Sequence, residues 1–394
     1  MSEAGAVETK AIESSALTDS DIDISPHLSL FRELGAQARV DRQVSVRAVN
    51  ALKDSGFIRA LLPKKWGGLE ATPQQFFATH LAIAEQDMST AWIGGIIAVH
   101  AYQLALMSEQ AQADVYAKTG PDTCISSSYN PVGGKVELAD EGFMLSGRWG
   151  WSSGSEHCSW VLLGAIVPGE GYRTFLVPKS DYQVEDTWHV YGLQATGSND
   201  IVIEAPVFVP DYRTHKQMDG FNCVHSQTNP MYSIPWAQLF VRVVSTPAIG
   251  AAKHAIELFT GDSSGSSTDP TKLQGDPDIT RRVAAALNDI DEVETIMFRN
   301  FDRMLAAALA NREIPMIDRV TYRYQASAVT NKMAGAIDQL FEVAGGRSIF
   351  NGAGIQEIWR DVHSAQAHVA NNPTPFARNL GGMALGAENA DVFL

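Results

Sequence analysis

Cysteine is scarce in this sequence. Three of the 394 residues are cysteines, namely Cys124, Cys158 and Cys223, and no two of them form a C-x-x-C pair. An odd number at this spacing argues against a disulfide framework. We therefore expect free, mostly buried thiols in a reducing compartment, and we assign them no catalytic role.

Positive charge is also in short supply. The chain has 30 Lys and Arg against 45 Asp and Glu, which gives a formal net charge of −15. Binding to nucleic acid needs clustered Lys and Arg to neutralise phosphates. Nucleic acid is therefore excluded as a partner, whereas a phosphate-bearing cofactor held by a few local groups is not.

A membrane-spanning run and a secretory signal are not found. The most apolar run, residues 91–99, is too short to cross a bilayer and is followed by His100 and Gln103. Residues 1–25 are acidic and rich in Ser and Ala, without the basic and apolar regions of a signal peptide. We interpret them as a flexible tail and expect a soluble, cytoplasmic protein with no membrane partner.

Several motifs that would reveal a function are missing. The sequence contains no G-x-G-x-x-G, no G-x-x-x-x-G-K-[ST] and no H-E-x-x-H. A Rossmann site and a P-loop are therefore not supported. His363 and His368 are five residues apart, so on a helix they would point about 140° away from each other. They cannot face one ion together, and we predict no metal site.

The order of the patterns predicts an α+β protein that is mostly α. Residues 26–120 carry apolar side chains at helical spacing. Residues 121–228 contain short β-type runs broken by Gly, Pro and Asp, which indicate a compact β-barrel or sandwich. Residues 229–394 return to helical patterns and predict a four-helix C-terminal bundle. Its helices are expected near 236–259, 280–311, 315–344 and 355–369.

The most unusual stretch is residues 149–154, WGWSSG, preceded by three serines at 126–128. Small hydroxyl residues, glycines and two indoles suit a wall where backbone and hydroxyl groups approach a flat aromatic ligand. On a strand, Trp149 and Trp151 would share one face. Aromatic core packing and a hydroxyl-rich turn at the end of a strand explain the same residues equally well.

Two histidines stand out on predicted helices. His100 lies in an apolar helix, and His368 has the small neighbours Ala365 and Ala367, which leave room for a ligand to dock. A buried histidine hydrogen-bonded to the backbone is the simpler interpretation of each. Residue types alone therefore assign neither histidine to catalysis.

Six short segments, in this order, resemble one known family. They are residues 66–68 (WGG), 125–129 (ISSSY), 149–154 (WGWSSG), 192–199 (GLQATGSN), 209–210 (VP) and 359–363 (WRDVH), the last followed by His368. With the helix–β–helix layout, they resemble the acyl-CoA dehydrogenase fold. Within that fold they are similar to the oxygenase components of two-component flavin-dependent aromatic monooxygenases, group D, which include 4-hydroxyphenylacetate hydroxylase and secosteroid phenol hydroxylase. The resemblance covers residues 28–386.

The resemblance implies a reaction and its participants. A separate NAD(P)H-dependent flavin reductase would supply reduced FMN or FAD by diffusion. Oxygen would add at flavin C4a to give a hydroperoxide, which hydroxylates a phenol, an indole or a polycyclic substrate. The protein would shield this species from water, and the family usually forms homotetramers through its C-terminal helices.

The resemblance also implies roles for individual residues. His368 would stabilise the hydroperoxide, and Ser153 would hold the N5 edge of the flavin. Ser127 and His100 match positions that contact the phenol oxygen of the substrate. The residues expected at the cofactor are Ser127, Trp151, Ser153, Thr196, Gly197 and Ser198.

One observation separates this reaction from that of a dehydrogenase. In many acyl-CoA dehydrogenases, the catalytic Glu follows the Arg-Asp of the last helix by eight residues. Counting eight from Asp361 reaches Val369, and no Glu occurs between Asp361 and Glu388. The α-proton would have no base at this position. A dehydrogenase with a relocated base remains the alternative, and a non-catalytic flavin-binding or scaffold protein is a third.

The expected phosphate site departs from the family. Relatives carry a short basic segment after the first bundle helix, whereas residues 260–268 here contain no Arg. Phosphate binding would fall to Lys272, Arg281 or Arg282, or to a neighbouring subunit. The choice between FMN and FAD stays open.

Overall fold

The computed structural model describes residues 21–216, 224–261 and 275–394. Most of the predicted acidic tail, the residue Cys223 and most of the segment between 260 and 277 lie outside the described residues. The division of the chain at residues 26, 121 and 229 stays a prediction.

The first part of the chain is helical, as predicted. Asp87 caps the fourth helix, where its carboxylate accepts from the N–H of Thr90 at 2.7 Å. Every residue of that helix is buried, because its side chains are apolar around the whole circumference. The helices are α1 (Leu28–Asp41), α2 (Val46–Asp54), α3 (Pro73–Ala84), α4 (Met88–Ala105) and α5 (Glu109–Thr119).

The middle of the chain forms two four-stranded sheets, in the orders β1-β4-β5-β8 and β2-β3-β7-β6. β1 pairs parallel to β4, and the other neighbours are antiparallel. The strands are β1 (Ile125–Ser128), β2 (Gly134–Ala139), β3 (Gly142–Ser152), β4 (Trp160–Val167), β5 (Gly171–Pro178), β6 (Gln183–Glu185), β7 (Asn199–Pro210) and β8 (Thr214–His215).

The two sheets share one apolar core. Leu145 and Trp149 of β3 pack in the same cluster as Val161 of β4 and Phe175 of β5. The β-type runs of the sequence at residues 201–203 and 207–209 belong to the single strand β7. An irregularity in the pairing of β3 with β7 explains why the pattern is interrupted there.

The last part of the chain is helical again. α7, α8, α10 and α11 pack against one another as the bundle. The helices are α6 (Trp236–Val243), α7 (Thr246–Thr260), α8 (Pro277–Leu309), α9 (Met316–Ser327), α10 (Val329–Phe341), α11 (Gly354–Ala365) and α12 (Pro373–Ala384).

Three of the predicted helices had the wrong extent. The helix expected at 236–259 is two helices, since Pro247 cannot continue α6 and instead occupies the first turn of α7. The helix expected at 315–344 is divided at Ala328. The helix expected at 355–369 ends at Ala365, which places His368 in the connection that follows. Helix α12 was not predicted.

The fold predicts opposite effects for two Gly to Ala substitutions. A Cβ at buried Gly68 would lie 1.9 Å from the carbonyl oxygen of Leu62, whereas exposed Gly335 in α10 has nothing within 4 Å of that position. Gly68→Ala should lower the free energy of unfolding by roughly 1–3 kcal/mol or more. Gly335→Ala should raise it by up to about 1 kcal/mol. Urea unfolding of both variants measures this, and equal effects would contradict the packing described.

Candidate active site

Three hydroxyl groups form a chain of hydrogen bonds beside the turn after β3. Ser153 Oγ lies 2.8 Å from Ser198 Oγ, which lies 2.7 Å from Thr196 Oγ1. Thr196 donates to the carbonyl oxygen of Leu193 at 2.9 Å, so it accepts from Ser198. Ser198 in turn accepts from Ser153. The proton of the Ser153 hydroxyl is therefore directed along this chain.

The indole of Trp92 enters the same cluster from α4. Its N–H donates to Ser153 Oγ at 3.1 Å. The hydroxyl of Ser153 donates its proton to Ser198. One lone pair of its oxygen accepts from Trp92, and the second lone pair can accept another hydrogen bond. Ser153 therefore presents an acceptor to a ligand.

His368 also contacts Trp92. The two rings meet edge-on, with centroids 5.7 Å apart. The Nδ1 of His368 accepts from the N–H of Ala370 at 3.1 Å, so the ring proton is on Nε2. Desolvation by the surrounding protein, with a smaller contribution from Arg323, lowers the pKa of His368 to about 4. At neutral pH this imidazole is uncharged and donates through Nε2.

His100 has the opposite tautomer. Its Nδ1 lies 2.7 Å from the carbonyl oxygen of Ile125, which can only accept, so Nδ1 carries the proton. Nε2 is then an acceptor, and it is buried with no partner among the described residues. Burial lowers the pKa of His100 to about 4. A buried acceptor without a partner is costly to the free protein, and a ligand donor at this atom would satisfy it.

Tyr129 completes the surroundings of His100. Its ring meets the imidazole edge-on at 6.1 Å between centroids, and its hydroxyl donates to the amide oxygen of Gln103. The side chain of Ser127 also interacts with the Tyr129 hydroxyl. Tyr129 therefore contacts both His100 and Ser127.

Aromatic rings connect the two histidines. Tyr129 packs on Phe240 at 5.4 Å and on Trp236 at 5.6 Å between centroids. Phe240 in turn lies 6.4 Å from His368. His100 and His368 therefore stand at the two ends of one aromatic wall, made of Tyr129, Phe240 and Trp236.

The glycines near Ser153 have backbone geometry that side chains disfavour. Gly154 has φ 69° and Gly197 has φ 51°, both in the left-handed region where glycine carries no Cβ penalty. The N–H of Gly154 donates to the carbonyl oxygen of Thr196 at 2.9 Å. This bond holds the turn after β3 against the segment that carries Ser198.

The two tryptophans of the WGWSSG stretch do not share a face, contrary to the prediction. Trp149 is 1% exposed in the core of the sheets, while Trp151 is 66% exposed. The cause is a shift of pairing between Trp149 and Ser152, together with φ 65° at Trp151. The exposed indole of Trp151 is left beside the Ser153 turn, where a flat ligand could stack.

Residues 150–154 also match G-x-S-x-G, the pattern of α/β-hydrolase nucleophiles. Ser152 is the last residue of β3 and is fully buried, with no hydrogen-bond partner for its hydroxyl among the described residues. A nucleophilic serine needs a base within hydrogen-bonding reach. The match therefore has no catalytic meaning here.

The expected phosphate ligands are not gathered at this site. Lys272 lies outside the described residues. Arg281 pairs with Asp278 at 2.7 Å, and Arg282 pairs with Asp278 at 2.8 Å and with Glu342 at 2.6 Å. Both arginines thus already have carboxylate partners, and the location of a flavin phosphate stays a prediction.

Among residues 21–216, 224–261 and 275–394, no three His, Cys, Asp or Glu side chains are grouped so that they could hold a metal ion. In the same part of the chain, helices long and apolar enough to cross a bilayer are absent.

Comparison with known proteins identifies the family. Residues 242–373 match the family model "Acyl-CoA dehydrogenase, C-terminal domain". The chain is 35% identical over 357 residues to the flavin-dependent monooxygenase, oxygenase subunit HsaA, of Rhodococcus jostii (strain RHA1), covering 88% of this chain and 93% of that protein. The chain belongs to this family of flavin-dependent monooxygenase oxygenase subunits.

Other proteins similar to this chain support the same family. The p-hydroxyphenylacetate 3-hydroxylase oxygenase component of Acinetobacter baumannii is 28% identical over 88% of this chain and 84% of its own. The crystal structure of 3-HSA hydroxylase from Rhodococcus sp. RHA1 superposes with a TM-score of 0.89 at 33% identity, covering 94% of this chain and 98% of that chain. The predicted acyl-CoA dehydrogenase-like fold is confirmed.

The sequence did not reveal three residues of this oxygenase subunit's candidate site. Trp92, Tyr129 and Phe240 bring the predicted serines and histidines together. Trp92 and Phe240 lie in apolar helices, where an aromatic side chain is ordinary core material, and Tyr129 follows a run of three serines. Within α4, the spacing of Trp92 and His100 gave no signal, since the helix is apolar all round. Their roles depend on contacts between distant segments.

The hydrogen bond from Trp92 to Ser153 can be measured by a double-mutant cycle. Trp92→Phe keeps a ring against His368 but removes the donor, and Ser153→Ala removes the acceptor. Each change should lower the free energy of unfolding, and the coupling between them should be about 1 kcal/mol. Strictly additive effects in urea unfolding would contradict this contact.

Two fully buried histidines predict how stability depends on pH. Burial lowers the pKa values of His80 and His100 from 6.5 to about 4. On acidification the unfolded chain takes up these protons first. Stability should therefore be complete above pH 6.5 and fall toward pH 4, by roughly 3 kcal/mol for each histidine.

The carboxyl of Asp361 acts in the opposite direction, because burial raises its pKa from 3.8 to about 6. It therefore offsets part of the loss between pH 6 and pH 4. His80→Gln removes one titrating histidine, so the free energy of unfolding should depend less steeply on pH. Urea unfolding between pH 7.5 and pH 4.5 tests this, and identical slopes for variant and parent would refute it.

Proposed function

We propose that this oxygenase component uses reduced flavin and O2 to hydroxylate an aromatic or heteroaromatic small molecule, such as a phenol, an indole or a polycyclic compound. Relatives support the substrate class through their names: a FADH(2)-dependent resorcinol hydroxylase of Rhizobium sp. (strain MTP-10005) is 30% identical, and an indole-3-acetate monooxygenase of Pseudomonas putida is 27% identical.

The observation that carries the proposal is the opposite tautomers of two uncharged histidines on one aromatic wall. His100 offers an acceptor at Nε2 and His368 offers a donor at Nε2. A phenol hydroxyl or an indole N–H matches the acceptor, and an oxygen that gains negative charge matches the donor. The aromatic rings between them suit a flat, apolar substrate.

The residues present fit a reduced flavin. The free lone pair of Ser153 accepts a hydrogen bond, and a reduced flavin has an N–H at N5 where an oxidised flavin has none. The backbone around Gly197 and the exposed indole of Trp151 would border the ring system. A bound reduced flavin supplies the electrons that activate O2 and the means to transfer one oxygen atom.

His100 and Ser127 would activate the substrate. Accepting a hydrogen bond from a phenol hydroxyl raises electron density at the ring carbons ortho and para to it, which favours attack by an electrophilic oxygen. The lowered pKa of His100 keeps Nε2 unprotonated at neutral pH, so it remains an acceptor. Tyr129 and Ser127 would hold the substrate oxygen in this position.

His368 would act on the oxygen being transferred. Its Nε2–H would donate to the reacting oxygen, and the apolar rings of Trp92 and Phe240 beside it would exclude water. A cationic imidazolium is not needed for this role, since a neutral N–H is sufficient as a donor.

Further parts of the proposal rest on the family alone. We infer a separate NAD(P)H-dependent flavin reductase, since relatives are named as oxygenase subunits or components. We also propose a homotetramer, which the family usually forms, and a cytoplasmic location. A solved structure that is 21% identical holds FADH2, which does not choose between FMN and FAD for this chain.

Reconstitution tests the function directly. The purified protein with NADH alone should be inactive. With any flavin reductase, NADH and FMN or FAD, it should consume O2 and hydroxylate phenols or indoles. A tightly bound flavin that reduces electron acceptors at the expense of an acyl-CoA would overturn the proposal in favour of the dehydrogenase.

Removal of the His368 imidazole should uncouple the reaction. In His368→Ala the donor at Nε2 is lost, so the ratio of hydroxylated product to hydrogen peroxide should fall by about tenfold or more. His363→Ala is the matched control on the adjacent helix, where its imidazole binds Asp338 at 2.9 Å outside the site. An unchanged ratio in His368→Ala would remove this residue from its role.

A further inference from the structure

The segment of residues 387–394 is fixed to the body of the protein by side-chain bonds. The amide of Asn379 in α12 donates to Asn389 at 2.8 Å and accepts from the N–H of Ala390 at 2.9 Å. The carboxylate of Asp391 accepts from the N–H of Phe393 at 2.9 Å. These bonds fix the direction in which the side chain of Phe393 points from the backbone.

Phe393 is thereby placed against the aromatic wall. Its ring meets Trp236 edge-on at 5.6 Å and Phe240 edge-on at 5.9 Å between centroids. Trp236 and Phe240 are themselves 4.8 Å apart, so the three rings form one cluster. The same Trp236 and Phe240 contact Tyr129, and Phe240 contacts His368.

Two arginines of α9 connect this segment to His368. Arg319 donates to the carbonyl oxygen of Leu394 at 2.6 Å. Arg323, one turn further on, donates to the carbonyl oxygen of Ala370 at 3.1 Å, and the N–H of Ala370 holds His368 Nδ1. The charge of Asp391 acts on Arg323. One helix face therefore positions both Phe393 and the histidine.

We propose that Phe393 is a specificity-determining residue, whose ring backs Trp236 and Phe240 and so limits the size of aromatic substrate that the wall accepts. The inference rests on the proposed function, because it assumes that this wall contacts the substrate. With Phe393 in place, one-ring ligands would be favoured, because a two-ring ligand would require Trp236 or Phe240 to move toward the volume that Phe393 fills.

The alternative explanation is that Phe393 only stabilises the end of the chain. The two explanations differ in one measurable quantity. A purely structural residue changes the affinity for small and large ligands by the same factor. A residue that limits size changes their ratio.

The test measures how tightly phenol and 2-naphthol bind to the flavin-free protein. Tryptophan fluorescence or calorimetry gives the two dissociation constants. In Phe393→Ala the ratio of the two dissociation constants should shift toward 2-naphthol by roughly tenfold or more, the scale of a size change in an apolar pocket. Phe393→Leu should give a smaller shift in the same direction. Val392→Ala is the matched control, because that side chain is 70% exposed, and its ratio should equal the parent's.

The outcomes separate the two proposals. An unchanged ratio in a folded Phe393→Ala protein overturns the role of Phe393, and Phe393→Leu decides in the same way if the Ala variant does not fold. Parent protein that binds the probes but does not oxygenate them with reductase present overturns the proposed function alone. Parent protein that binds neither probe, and hydroxylates no phenol or indole, overturns both.

Discussion

The hydrogen bond from the indole of Trp92 to Ser153 Oγ joins helix α4 to the turn after β3, and the geometry of the candidate site depends on it. Trp92 occupies one lone pair of this oxygen, while the hydroxyl proton points to Ser198 because Thr196 donates to Leu193. The same indole contacts His368. Helix α4 is buried on all sides, so the indole has little freedom to move. A residue from the first helical part thereby orders groups from the sheets and from the bundle.

The state of the two histidines follows from backbone contacts. A carbonyl oxygen fixes the proton of His100 on Nδ1, and an N–H fixes that of His368 on Nε2. Low polarity around both rings keeps them uncharged at neutral pH. Nε2 of His100 has no partner among the described residues and is already buried away from water, so it would stabilise a bound donor more than it would in water. The free protein is less stable because of this buried polar atom, and in return a bound ligand is held in a defined orientation.

Much of the layout could be predicted from the sequence. The order of helical and β-type patterns gave the three-part arrangement, because periods of 3.6 and 2 are local properties of the chain. Two of the wrong predictions concern places where one residue interrupts a regular pattern. Pro247 divides a helix, and the irregular pairing after Trp149 turns Trp151 outward. A left-handed φ at a tryptophan has no sequence signature, since only the surrounding structure imposes it.

The amino-acid sequence shows which residue types are available: the serines at 126–128 and 152–153, the histidines at 100 and 368, and the lack of a Glu between Asp361 and Glu388. What these residues can do depends on the folded chain. Tautomer, proton direction and pKa depend on the nearest polar atom and on burial, and for His100 that atom is the carbonyl oxygen of Ile125, 25 residues away. Contacts of this kind are made by folding and are not encoded in spacing, which is why Trp92, Tyr129 and Phe240 became visible as part of the site only when the chain was folded.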